Sequence, residues 1–147
     1  MNAVHKFVLF PLGARRFALP SERVAELARP GHLHTFPHTT PLLAGVLVRR
    51  GHIVPVFDMA QAVMPRHAPG RKFYLIATRA VAGTTEWTAI PVTGECELAT
   101  AEVRPPTGVL PDYVTGLLSM PGSEIVEVID LEKLFSSSAA KAAEVRA

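Results

Sequence analysis

Pro41-Leu-Leu-Ala-Gly45-Val-Leu-Val-Arg-Arg50-Gly-His-Ile-Val-Pro55-Val-Phe-Asp58-Met59 reads as a strand, a tight turn at Arg50-Gly51, a second strand and an Asp-capped helical start. Residues 111–131, Pro-Asp-Tyr-Val-Thr-Gly-Leu-Leu-Ser-Met-Pro-Gly-Ser-Glu-Ile-Val-Glu-Val-Ile-Asp-Leu, repeat the pattern. Gly45 to Gly51 spans six positions, as does Gly116 to Gly122, while Gly51 to Asp58 is seven and Gly122 to Asp130 eight. A hairpin turn absorbs that one-residue difference. Two such hairpins, each ending in a helical turn that plugs the open end of a small barrel, predict two small β-barrels packed on each other.

The rest of the chain agrees with an all-β fold. Its 13 prolines and 10 glycines are spread along 147 residues, and they bound short apolar segments such as Phe7-Val-Leu-Phe, Phe17-Ala-Leu, Phe73 to Ala77 and Trp87 to Val92. Helix is expected only at Asp58 to Met64, where Asp58 and Gln61 have capping-box spacing, and at Asp130 to Phe135. The two barrels are assigned to about 7–70 and 71–135, with strand exchange between them allowed, and Ser136 to Ala147 to a helical or mobile tail.

Composition narrows the function. With 15 Lys+Arg against 13 Asp+Glu the formal charge is only +2, too little for a binder built on phosphate contacts. Lys72-Phe-Tyr74 beside Arg71 is the one place where basic and aromatic residues meet, and it has the alternation of a strand entering a core, so nucleic acid is not expected. The apolar runs are far shorter than the roughly 20 residues a membrane-spanning helix needs, and Met1 to Arg16 has no signal-peptide pattern. With Cys96 alone, a reducing cytoplasm is the expected compartment.

No catalytic constellation emerges. Cys96 lies between Glu95 and Glu97, which oppose a thiolate, and reads as an inert thiol. Ser21, Ser119 and Ser123 lack a nucleophile elbow, and Pro105-Pro106-Thr-Gly108 lacks the lysine of a phosphate loop. His32, His34 and His38 could supply metal ligands, but no carboxylate lies between Arg29 and Val48, and Pro30, Gly31, Pro37 and Pro41 mark a solvated loop. No cofactor or metal is expected. The remaining feature is Arg49-Arg50-Gly51, in which Arg49 reads as solvated and Arg50 as a bidentate partner of Glu26. In Arg23-Val-Ala-Glu-Leu27, strand alternation puts Val24 and Glu26 on one face, with Ala25 and Leu27 on the other, and suggests a docking surface.

These residues resemble the CheW family of bacterial chemotaxis coupling proteins. The likeness runs through Phe7-Val-Leu-Phe-Pro-Leu-Gly, Phe17-Ala-Leu-Pro, Arg23-Val-Ala-Glu-Leu27, Arg50-Gly-His-Ile-Val-Pro-Val-Phe-Asp58, Tyr113-Val-Thr-Gly116 and Ile129-Asp-Leu-Glu-Lys-Leu134. It implies two five-stranded SH3-like barrels and a non-enzymatic cytoplasmic scaffold. Such a scaffold bridges chemoreceptor tips and the regulatory domain of a CheA-type histidine kinase, without entering the membrane itself. It also implies a receptor-facing set of Val24, Glu26, Arg50 and Gly51, and a groove and kinase-facing set of Gly45, Val46, Ile90, Val92 and Gly94. The chain departs from the family at Val48-Arg49, where Asn-Leu is usual, at Ala60, where Arg is common, and at Val92-Thr93, where Val-Asp is usual. Both a flagellar output and another one, such as pili, stay open.

Overall fold

The computed structural model describes residues 4–29, 31, 33–35, 42–64 and 71–136. The strands are β1 (Val4–Leu12), β2 (Arg15–Pro20), β3 (Val24–Ala28), β4 (Leu43–Arg49), β5 (His52–Phe57), β6 (Phe73–Val81), β7 (Thr84–Val92), β8 (Glu97–Glu102), β9 (Val114–Met120) and β10 (Glu124–Ile129). Helix α1 (Met59–Val63) follows β5, and a second helical segment, α2, covers 131–136. The all-β expectation holds.

The strands form two five-stranded sheets, ordered β8-β1-β2-β10-β9 and β3-β6-β7-β5-β4. Each closes into a barrel where the chain just beyond one edge strand pairs with the opposite edge. His34, after β3, exchanges two backbone hydrogen bonds of 2.9 Å with Val46 on β4. Arg104, after β8, does the same with Leu117 on β9 at 2.9 Å. The sheets match rung for rung: Gly116–Val128–Ala18–Leu9–Glu97 crosses the first as Gly45–Val56–Ala89–Ile76–Glu26 crosses the second. The duplication seen in the sequence is therefore a structural one.

The halves 7–70 and 71–135 do not each make a barrel. The first barrel takes β1–β2 from the first half and β8–β10 from the second, and the second takes β3–β5 and β6–β7. Hairpins form locally, but the strand a hairpin pairs with next is chosen by long-range packing.

That packing is visible in the alternation of side chains. On β1, Phe7 and Leu9 fill the first barrel, while Phe10 and Leu12 face the second. On β6, Tyr74 and Ile76 fill the second barrel, while Leu75 and Ala77 face back. Phe17 and Leu19 of β2 and Ile90 and Val92 of β7 join this shared layer. These hairpins are buried on both faces, which is why their sequences run apolar without a break.

The helical turns also serve the shared layer. Asp58 Oδ1 accepts from the Gln61 N–H at 3.2 Å and Asp130 Oδ1 from the Lys133 N–H at 3.1 Å, so both caps form as the sequence suggests. Met59 and Ala60 of α1, and Leu131 and Leu134 of α2, pack into the layer between the barrels rather than plugging a barrel end.

Candidate functional site

The second barrel carries the surface that the sequence points to, at the mouth formed by β3 and the β4–β5 hairpin. Two residues, Arg50 and Gly51, connect these strands, with φ of 51° and 79°. Positive φ at both central positions is what a type I′ hairpin turn requires, and for an arginine it is a disfavoured conformation. Along β4, Gly45, Leu47 and Arg49 point inward and Val46 and Val48 outward, so Arg49 ends the inner row.

Glu26 reaches this mouth through a bulge. Val24 lies opposite Ala77 and Glu26 opposite Ile76, leaving Ala25 as the extra residue on β3. The bulge reverses the alternation, so Val24 and Glu26 do not share a face: Val24 packs on the shared layer and Glu26 points into the mouth. Leu27 remains exposed.

The ion pair differs from the expected one. Arg49 forms the bidentate contact, Nε to Oε1 at 2.8 Å and Nη2 to Oε2 at 3.1 Å. Arg50 adds one bond of 3.3 Å to Oε2. Side-chain exposure follows the same order, 20% for Glu26, 38% for Arg49 and 69% for Arg50. The Arg49 hydrogen bonds hold the Glu26 carboxyl down at about 2, against the opposing effect of burial and with a smaller contribution from Arg50. Alternation along β4 was the available signal for Arg49, because it lies two residues beyond the inward Leu47.

Around this triad lie exposed apolar side chains. Val48 and Ile53 are cross-strand partners on the outer face, 61% and 73% exposed. On the inner side His52 packs against Trp87, with ring centroids 4.8 Å apart and planes tilted by 45°. With Pro55, Ile53, Thr85 and Glu86 they line an open cleft where β5 and β7 diverge after a single paired rung. Pro55 has no N–H with which to extend that ladder.

The groove and kinase-facing set fares differently. Ile90 and Val92 are fully buried in the shared layer and present nothing to a partner. Gly45 is buried beneath the His34 bridge, where a Cβ would run into the His34 carbonyl oxygen. Val46 and Gly94 are half-buried. Thr93, beside Gly94, accepts from the Gly13 N–H at 2.9 Å, and its own N–H donates to the Pro11 carbonyl at 3.1 Å, tying the end of β7 to the β1–β2 hairpin.

Burial pushes the Cys96 thiol up to about 11, leaving it protonated at neutral pH. His34 is exposed, while His32, His38 and the tail from residue 137 lie outside the described residues. Among the described residues no cluster of three His, Cys, Asp or Glu side chains is placed to hold a metal ion. No helix among them is long and apolar enough to cross a membrane.

Three comparisons bear on this arrangement. The family described as CheW-like domain matches residues 6–139. Protein FrzA of Myxococcus xanthus is 27% identical over 145 residues, covering 93% of this chain and 89% of that protein. The crystal structure of the scaffolding protein TtCheW from Thermoanaerobacter tengcongensis superposes with a TM-score of 0.76 at 21% identity, covering 92% of this chain and 90% of that one.

Proposed function

The chain belongs to the CheW-like domain family, and from that premise we propose that it is a non-enzymatic cytoplasmic scaffold coupling chemoreceptor tips to the regulatory domain of a CheA-type histidine kinase. The observation that carries this reading is the Glu26–Arg49–Arg50 triad on a strained turn, flanked by exposed Val48 and Ile53. Small apolar surfaces ringed by fixed charges suit reversible protein docking. On this reading Glu26, Arg50 and Gly51 belong to the receptor-facing surface, and Val46 and Gly94 are the kinase-facing candidates. Val24 supports the first surface from beneath.

The test is co-elution of the full chain with a CheA-type regulatory domain, alongside pull-down by a soluble chemoreceptor-tip bundle. Arg50→Glu is expected to abolish tip binding and leave the melting temperature unchanged, because its single exposed contact contributes little to stability. Full tip binding by Arg50→Glu would remove that surface from the assignment. A truncation at Ser136 is expected to keep kinase binding.

A second reading, an adaptor for a non-flagellar output, rests on the departures from the family pattern at Val48-Arg49, Ala60 and Val92-Thr93. Deleting the gene and scoring swimming against surface motility separates the two outputs.

A further inference from the structure

We infer that Arg49, by taking Glu26, leaves Arg50 as the cation this surface offers to an acidic side chain on the partner. The partner's face is then a helix carrying a carboxylate beside apolar residues. The inference rests on the coupling reading for the class of partner, but its basis is the geometry of the triad. Both oxygens of Glu26 are engaged by the planar fork of Arg49, at 2.8 and 3.1 Å. Arg50 has only a 3.3 Å share of an oxygen already in use, and among the described residues Glu26 is its one ion-pair partner. One carboxylate against two guanidinium groups leaves the mouth with a surplus positive charge, carried by the more exposed arginine.

The position of that surplus charge suggests what it meets. Arg50 stands on the turn, beside the exposed pair Val48 and Ile53. An apolar stripe with one carboxylate, presented by a helix, complements a cation next to two aliphatic side chains. If leucine stood at position 49, as the family usually has, Arg50 would be free to swing onto Glu26 and the surplus would vanish. Arg49 is thus a positioning residue that sets specificity without touching the partner.

The experiment titrates the full chain against a soluble chemoreceptor-tip helical hairpin in two forms, unaltered and with its exposed Asp and Glu changed to Asn and Gln. The wild type is expected to bind the unaltered tip roughly tenfold more tightly, the size of one charge-assisted contact. Arg49→Leu is expected to lose that preference while binding the neutralised tip as before. An equal preference in Arg49→Leu and wild type overturns the inference. Binding of neither tip by the wild type instead fails the coupling reading. An NMR titration of Glu26 then decides the inference alone: Arg50→Leu should leave the carboxyl low because Arg49 still holds it, and a rise as large as that in the Arg49→Leu/Arg50→Leu double variant overturns it. Concentration-dependent self-association that Glu97→Gln abolishes would also overturn it, by assigning Arg50's acid to a second copy of this chain.

Discussion

The mouths of the two barrels are built on equivalent rungs yet balanced in opposite senses. Glu26 and Glu97 occupy the same position, one opposite Ile76 and the other opposite Leu9. In the second barrel Glu26 meets two arginines at the hairpin tip. In the first, Arg16 on β2 meets two carboxylates, Glu97 at 2.7 Å and Glu124 through Nε at 2.9 Å. Equivalent exposed apolar residues flank both mouths, Leu27 and Ile53 in one and Leu98 and Ile125 in the other. Duplication thus supplied one frame twice, and a few charged substitutions at the rim gave it an arginine-rich end and a glutamate-rich end. The arginine of the first mouth is rooted on a strand between two others, whereas those of the second sit at and beside a turn, where they can change without disturbing the core.

The two barrels differ most at the glycines where they close. A Cβ on Gly45, whose φ is 153°, would strike the backbone carbonyl of His34, while one on Gly116 would strike only the side chain of Val103. Gly45→Ala is expected to destabilise by about 3 kcal/mol or more, and Gly116→Ala by about 1–3 kcal/mol as Val103 gives way. Urea denaturation of both variants checks the order, and equal losses would mean the two closures are equally adaptable.

A smaller effect separates the shared layer from a barrel interior. Ile90→Ala opens a cavity between the barrels and is expected to cost about 2–5 kcal/mol. Because it lies where both barrels meet, unfolding should stay a single transition followed by both Trp87 fluorescence and far-UV circular dichroism. A split transition would show that the barrels unfold separately.

The smallest effect is in acid. The Glu26 carboxyl sits near 2 when folded and the Glu124 carboxyl is also held low by Arg16, against an ordinary value of 4.5. A lowered folded value stabilises the fold above the unfolded value and is lost as pH falls through the folded one. Thermal melts from pH 5 to pH 2 should therefore fall less steeply in Glu26→Gln than in wild type, and likewise in Glu124→Gln. An unchanged slope in either variant would mean that its ion pair does not form in solution.

Much of this arrangement was legible in the chain. The repeated hairpins gave their strands, their turns and their Asp caps, because each depends on residues close in sequence: a positive-φ pair at Arg50-Gly51, an Asp before a short helix. The one-residue difference between the repeats does fall in the turn, two residues in one hairpin and the Pro121-Gly122-Ser123 segment in the other. The pairing of Glu26 was misread for two local reasons. A bulge at Ala25 reversed the alternation on which the face assignment rested, and Arg49 lay on the inner row of β4 although its charge suggested solvent.

Residues close in sequence thus dictated an all-β chain of two like repeats with local turns and caps, and a nearly balanced net charge. Only the tertiary structure decided that the repeats exchange their strands, that Ile90 and Val92 are interior to the molecule rather than open to a partner, and that Arg49 rather than Arg50 holds Glu26. The physical reason is range. Turn and cap preferences act over three or four residues, whereas strand choice, burial on a second face and the sharing of one carboxylate between two arginines are settled by groups brought together from distant parts of the chain.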